Sequence, residues 1–242
     1  MSRTADQDEY VVLYDVPPGM YAKLLDALGD VRTRHSYSDC TLEIRRVLHG
    51  IGPDQYREIL AALGDHSLKH TYDGWDLEMM SPRQEHEWIK RLIGRMIEGY
   101  VNSQSIPIKS ISSTTLRSPG YAQGVQPDEC YFVQNELSVR GKDSYDPATD
   151  PPPDLVVEVD LTSNSIERLP RFAALGVPEI WRHDEGRMHF YRLGTQDEYI
   201  EAESSAAFPA ITSADLTRFL SQRNAVDETS LVQAFVRHAV RE

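Results

Sequence analysis

The strongest constraint on this chain is an internal repeat near its start. When the sequence is shifted by 35 residues, Val12–Ile44 aligns with Val47–Met79 without a gap, and 13 of the 33 positions are identical. Each copy contains a short apolar run, a turn with proline, a helical pattern (Met20–Leu28 and Gln55–Leu63), a glycine and an alternating strand. Two copies are too few for a solenoid, so we expect the pair to pack together or against the rest of the chain.

The histidines and cysteines of this chain give little indication of a metal site. His35 and His70 recur at equivalent positions, but the duplication alone explains that recurrence. The two cysteines, Cys40 and Cys130, are too few and too far apart for a disulfide framework or a thiolate zinc site. We interpret both as small core residues.

Charge and hydropathy exclude several classes of protein. The 242 residues carry a net charge of −13, which taken alone argues against tight non-specific binding to nucleic acids. The N-terminus has no long apolar segment, and no stretch reaches the roughly 18 apolar residues that a membrane span requires. We therefore expect a cytoplasmic protein without membrane contacts.

The clearest helix follows Ser81–Pro82, where apolar residues from Trp88 to Val101 recur at helical spacing. Projection at 100° per residue places Glu85 and His86 on the inward stripe. A carboxylate buried there would need a partner, which makes Glu85 a candidate for the functional site. The alternative is that Glu85 only complements the helix dipole in the first turn.

Two apolar segments bring acidic residues together. In Asp154–Asp160 the alternation of a strand places Glu158 and Asp160 on one face and the apolar residues Leu155, Val157 and Val159 on the other. The segment that begins at Gln126 (QPDECYFV) groups Asp128 with Cys130 in the same way. If these strands are neighbours, Asp128 and Glu158 approach one another.

Carboxylates that approach one another are stabilised by a cation between them. Mg²⁺ or Mn²⁺ fits this position, because Mg²⁺ typically uses one or two carboxylates plus a substrate phosphate. Asp128 and Glu158 are the candidate ligands, with Asp160 or Glu85 as optional supports. The alternative interpretation is that these acids are solvated strand ends.

Arg168 is a further candidate. Pro170 is tolerated only in the first turn of a helix, so the helix that ends before Gly176 should begin near Arg168. A cation is disfavoured at a helix N-terminus. Arg168 is therefore expected to face an anion, either a carboxylate or a phosphate, unless it simply faces solvent.

Several motifs together resemble a known family. They are GWDLEMMSP at 74–82, the Glu85–His86 helix start, QPD at 126–128, PPPDLVVEVDLTSNS at 151–165, FAALGVPEIWRHD at 172–184 and the C-terminal FPAITSADLTRFL. Over about residues 47–242 the chain resembles the Uma family, a branch of the restriction-endonuclease-like PD-(D/E)xK superfamily.

The resemblance implies an α/β fold, with a helix packed on a mixed sheet whose central strands carry the site. It suggests an extra repeat module at 1–46 and a nuclease domain at 47–242. That domain would consist of a second repeat copy at 47–79, a core at 80–194 and a C-terminal helical extension at 195–242.

The resemblance also assigns roles to individual residues. Asp128 matches the Asp of the PD motif and Glu158 the acidic residue of (D/E)xK. The Lys expected two residues later is replaced by Asp160, and Arg168 matches the position to which the family often moves that Lys. Arg stays charged, so Arg168 would stabilise phosphate charge rather than act as a base.

The function expected from this resemblance is a metal-dependent endonuclease that hydrolyses DNA. The alternative is a nuclease-fold protein that no longer cleaves and acts as a binding or regulatory module. DNA is the expected partner despite the acidic net charge, and the protein is a candidate homodimer.

Overall fold

The computed structural model of the chain describes residues 10–31, 33–64, 68–80, 84–112, 114–117, 124–146, 149–160 and 168–241. Within these ranges the helices are α1 (Pro18–Leu28), α2 (Pro53–Leu63), α3 (Gln84–Gln104), α4 (Glu136–Val139), α5 (Leu169–Ala174), α6 (Ser213–Leu220) and α7 (Glu228–Ala239). The strands are β1 (Tyr10–Leu13), β2 (His35–Ser38), β3 (Thr41–Arg45), β4 (Val47–His49), β5 (Lys69–Tyr72), β6 (Asp76–Met80), β7 (Lys109–Ser112), β8 (Leu116–Arg117), β9 (Gly124–Val125), β10 (Glu129–Phe132), β11 (Leu155–Asp160), β12 (Glu179–Asp184), β13 (Arg187–Leu193) and β14 (Tyr199–Ala202). Ser81–Pro82 and residues 161–167 lie outside the described residues. The mixture of helices and sheets confirms the predicted α/β class.

The two repeat copies have the same elements at an offset of 35 residues. Helix α1 corresponds to α2 residue for residue. The strand pairing also corresponds, since Val12 pairs with Glu43 in the first copy and Val47 with Glu78 in the second. The common origin of the copies remains an interpretation of the sequence.

Side-chain packing is also alike in the two copies. Tyr21 stacks on Tyr37 with ring centroids 4.1 Å apart, and Tyr56 stacks on Tyr72 at 4.2 Å. In each pair the strand tyrosine donates a hydrogen bond to a backbone carbonyl before the helix; the bonds are Tyr37 Oη to Val16 O (2.9 Å) and Tyr72 Oη to Ile51 O (2.7 Å).

The two copies pack on each other around a shared core. Gln55 Nε2 on α2 donates to the carbonyls of Ala27 (3.1 Å) and Leu28 (2.8 Å) at the end of α1. One apolar cluster extends from Val11 in the first copy to Met79 in the second. The domain boundary after residue 46 remains a prediction.

Only the second copy joins a larger sheet among the described residues. Strands β1, β3 and β2 form a three-stranded sheet, whereas β4, β6 and β5 continue through β9 to β8. Strand β9 lies against α2, because a Cβ atom on Gly124 would fall 2.2 Å from Tyr56 Oη. Glycine at this position therefore lets β9 pass close to Tyr56 while it pairs with β5, which connects the second copy to the rest of the fold.

A pH-dependent loss of stability is expected from His70. Burial, helped by the nearby charge of Arg168, lowers the pKa of His70 to about 4. The unfolded chain takes up this proton near pH 6.5, so stability is full above that pH and is lost as the pH falls towards 4. The loss amounts to about 3 kcal/mol, from 1.36 kcal/mol per pKa unit.

The measurement is urea denaturation between pH 4 and 7.5. His70→Gln should remove this part of the pH dependence. His35→Gln changes the equivalent residue of the first copy, whose side chain is exposed, and should leave the dependence intact. Equal pH profiles for His70→Gln and the wild type would contradict the assignment.

The six-stranded sheet has the order β14-β13-β12-β11-β10-β7. Strand β11 runs parallel to β12 and antiparallel to β10. Leu155, Val157 and Val159 face a cluster that includes α3, α6 and α7, whereas Val156 belongs to a cluster with Phe172 of α5 on the other face. The predicted alternation of Leu155–Asp160 is confirmed.

The C-terminal segment contributes to the main core. Strand β14 is an edge strand of the six-stranded sheet, and Phe235 of α7 belongs to the same apolar cluster as α3. None of the helices within the described ranges combines the length and the apolar composition that crossing a bilayer requires.

Candidate active site

Asp128 and Glu158 face each other where β10 and β11 lie side by side. Glu129 is opposite Val157 in the antiparallel register, so Asp128 comes opposite Glu158. The backbone N–H of Val159 donates to Asp128 Oδ2 at 2.8 Å. Both carboxylates are buried, with 4% and 2% of the residue exposed. The approach of the two carboxylates that the sequence predicts is present in the structure.

Lys69 lies between the two carboxylates. Its Nζ is 2.9 Å from Asp128 Oδ2 and 3.0 Å from Glu158 Oε2, and the residue is 8% exposed. Lys69 is the first residue of β5, so the second repeat copy supplies this cation. The ammonium reduces the repulsion between two buried negative charges.

Arg168 holds the other side of Glu158. Its Nη2 donates to Glu158 Oε1 at 3.1 Å and to the carbonyl of Gln126 at 2.6 Å, and its Nε lies 2.9 Å from Glu158 Oε2. Its Nη1 donates to Thr71 Oγ1 at 3.0 Å. Of the partners expected for Arg168, a carboxylate or a phosphate, the structure shows the carboxylate. The side chain is buried and does not face solvent, and the residue lies immediately before α5.

His86 contacts Asp128 from the first turns of α3. Its Nε2 lies 3.1 Å from Asp128 Oδ2, and its Nδ1 lies 3.1 Å from Glu87 Oε1. An ionised carboxylate can only accept a hydrogen bond, so the ring nitrogen that faces Asp128 is the donor of that contact. His86 thus supplies a further donor to Asp128.

Burial and ion pairing affect the two carboxylates differently. Burial raises the pKa of Asp128, but the charge of Lys69 and the hydrogen bond from His86 outweigh it and hold that pKa below its usual range. Burial also raises the pKa of Glu158; Arg168 and Lys69 oppose the shift without reversing it, and Asp128 and Asp160 add to it. Of the two groups, Glu158 accepts a proton more readily.

The structure places Glu85 away from this cluster. The inward orientation predicted for Glu85 is wrong, because its side chain is 58% exposed and its Oε1 lies 3.3 Å from Arg223 Nη2. His86 faces the strands instead. The physical reason is electrostatic: an imidazole fits beside the Asp128 carboxylate, whereas a second carboxylate would be repelled.

Asp160 is directed at a different cation. It is buried on the same face as Glu158, and its Oδ2 accepts a hydrogen bond from Arg182 Nε at 2.6 Å. The sequence predicts that Asp160 supports a metal ion. That role would compete with the ion pair between Asp160 and Arg182 of β12.

Two members of the cluster, Lys69 and His86, were not among the site residues predicted from sequence. A signal for Lys69 existed in the repeat, because Arg34 occupies the equivalent position and both copies therefore have a cation before the His that they share. Helical spacing indicates that His86 faces inward, but its partner, Asp128, is 42 residues away in the sequence.

Asp128 and Glu158 are the residues of this cluster that could hold a metal ion. Among the described residues, no group of three or more His, Cys, Asp or Glu side chains is arranged to hold a metal ion. The ammonium of Lys69 contacts both carboxylates at once. Mg²⁺ needs only one or two protein carboxylates when a substrate phosphate completes its coordination.

Comparison with known proteins identifies the family. The family model described as "Uma2: Putative restriction endonuclease" matches residues 53–223, more than half of the chain. The chain belongs to the Uma2 family. The matched region begins with α2 and includes Lys69, Asp128, Glu158 and Arg168, whereas the first repeat copy precedes the Uma2 match.

Among curated proteins, no sequence matches this Uma2 chain. Among solved structures, it is similar to a protein from Anabaena variabilis described as a putative nuclease belonging to DUF820. That similarity covers 70% of this chain and 99% of the other, with 15% sequence identity and a TM-score of 0.48.

Proposed function

We propose that this Uma2 protein is a metal-dependent endonuclease that hydrolyses phosphodiester bonds in DNA. The observation that carries the proposal is the pair of buried carboxylates, Asp128 and Glu158, that contact one shared cation. Both residues lie in the region that matches the family described as "Putative restriction endonuclease".

Asp128 and Glu158 would hold Mg²⁺ or Mn²⁺ where the Lys69 ammonium now lies. A divalent ion bound there would polarise a phosphoryl oxygen and lower the pKa of a bound water. Lys69 would then leave the carboxylates, and its ammonium could neutralise phosphate charge.

Arg168 would act as a fixed positive charge. Its side chain is held by Thr71, the Gln126 carbonyl and Glu158, so its orientation is set before a substrate enters. An oriented charge that stabilises the developing negative charge on a phosphate lowers the barrier without costly reorganisation.

A second candidate function is a nuclease-fold protein that binds without cleaving. The observation in its favour is that the carboxylates are already paired with Lys69 and Arg168, with each of these residues 8% exposed or less. In such a site the buried carboxylates are compensated without a metal ion, and the site would remain closed to one.

A cleavage assay distinguishes the two functions. The purified protein is incubated with supercoiled plasmid and Mg²⁺ or Mn²⁺, and nicked and linear products are measured by gel electrophoresis. The proposal predicts products with either metal and none with EDTA. A protein that binds the plasmid but produces neither form with either metal is the binding module.

Substitutions of Arg168 test its role as a charge. Arg168→Lys keeps the charge and should retain part of the cleavage rate, whereas Arg168→Ala should lose about 10²- to 10³-fold, as for the loss of one oriented donor. Thermal unfolding of both variants separates this effect from misfolding. Equal rates for two folded variants would show that the charge is not used.

A further inference from the structure

Arg182 is a cation next to the carboxylate pair on the neighbouring strand. In the parallel register of β11 and β12, Glu158 pairs with Arg182. Both side chains point to the same face, because Arg182 reaches Asp160, two residues after Glu158. Adjacent strands are about 4.8 Å apart, so the backbone of Arg182 lies one strand spacing away from that of Glu158.

Exposure separates Arg182 from the cations at the carboxylate pair. Lys69, Arg168 and His86 are buried against Asp128 and Glu158, whereas the Arg182 side chain is 31% exposed. These buried side chains are already paired with protein carboxylates. Arg182 can also contact an anion that arrives from solvent.

Two carboxylates hold Arg182 in position. Asp160 Oδ2 accepts from Nε at 2.6 Å, and Asp184 Oδ2 lies 3.4 Å from Nη2. Tyr191 of β13 is a further hydrogen-bonding neighbour. A guanidinium has five N–H donors in a rigid plane, so these three contacts still leave donors for a further acceptor. Such a fork matches the geometry of a phosphate.

The next strand places a histidine beside Arg182. Arg182 pairs with His189 of β13, whose side chain is 33% exposed and lies 2.8 Å from Glu201. Glu158, Arg182 and His189 therefore follow one another across three strands. This row gives a direction in which a polyanion can extend from the carboxylate pair.

We propose that Arg182 binds a DNA backbone phosphate next to the one that is cleaved, and that Asp160 is a positioning residue for Arg182 rather than a metal ligand. This inference rests on the proposed function, because it requires DNA at the carboxylate pair. It replaces the metal-supporting role that the sequence suggested for Asp160.

The test of Arg182 is DNA binding measured without cleavage. Fluorescence anisotropy of a labelled duplex in EDTA gives the affinity over a series of salt concentrations. Arg182→Gln should weaken binding about tenfold and reduce the slope of log affinity against log salt by about 0.9, the value for one lost phosphate contact. Arg182→Lys should restore part of both.

Arg218→Gln is the matched control. Arg218 is also paired with an aspartate, Asp215 at 2.8 Å, but it lies on α6, away from the face of Glu158. This control should bind as the wild type does. An unchanged slope in Arg182→Gln overturns this inference alone, whereas a wild type that fails to bind DNA overturns the proposed function and this inference with it.

The test of Asp160 separates positioning from metal binding. Asp160→Asn should raise KM for plasmid cleavage several-fold with little change in kcat, because it loosens a substrate contact. It should also leave Mn²⁺ binding, measured by electron paramagnetic resonance, unchanged. Loss of Mn²⁺ binding in a folded Asp160→Asn variant would overturn the positioning role.

Discussion

Lys69→Met is expected to lower the free energy of unfolding by about 3–5 kcal/mol at neutral pH, the usual cost of removing one partner from a buried ion pair. Asp128 and Glu158 would lose the ammonium that contacts both of them. Urea denaturation measures the loss. Arg34→Met is the matched control, since Arg34 is the equivalent residue of the first copy and its side chain is exposed.

The same variant should respond to divalent cations. With the ammonium gone, Mg²⁺ or Mn²⁺ meets no competitor between the carboxylates and should stabilise the variant by about 1.4 kcal/mol at ten times its dissociation constant. The wild type and Arg34→Met should gain less at the same concentration. If Lys69→Met is as stable as the wild type, or if metal stabilises all three proteins equally, Lys69 does not occupy the position of the cation.

Loss of either carboxylate should nearly abolish cleavage. Asp128→Asn and Glu158→Gln each remove one of two expected metal ligands, and a loss of several kcal/mol of transition-state stabilisation corresponds to at least about 10³-fold in rate. The measurement is the initial rate of plasmid nicking under saturating Mg²⁺.

Glu129→Gln provides the control for these two substitutions. Glu129 is adjacent to Asp128 in sequence, but it pairs with Val157, which faces the helices on the other side of the sheet. This variant should cleave at nearly the wild-type rate. Wild-type cleavage by folded Glu158→Gln would show that the site has been placed wrongly.

The local parts of the fold were readable from the sequence. Helices α1 and α2 end at Leu28 and Leu63, as the repeat predicts, because each is followed by a glycine with a positive φ. The proximity of Asp128 and Glu158 followed from strand alternation once β10 and β11 were assumed to be neighbours. Periodicity determines which residues share a face.

The position of Lys69 between the two carboxylates could not be predicted in this way. Lys69 is separated from Asp128 by 59 residues and from Glu158 by 89, and it reaches them because β5 pairs with β9 beside the site. Pairing between distant strands has no local periodicity. Glu85 shows the related difficulty at a helix end, where one residue of rotation exchanges an exposed carboxylate for the buried imidazole of His86.

Mn²⁺ binding tests most directly whether Asp128 and Glu158 hold one cation together. Electron paramagnetic resonance counts bound Mn²⁺ with and without a duplex of phosphorothioate linkages, so the result does not depend on cleavage. We expect weak binding by the wild type alone, because phosphate is needed to complete the coordination. We expect tighter binding with the duplex or in Lys69→Met, and loss of that binding in Asp128→Asn and in Glu158→Gln. Unchanged Mn²⁺ binding in both carboxylate variants would contradict a cation site shared by Asp128 and Glu158.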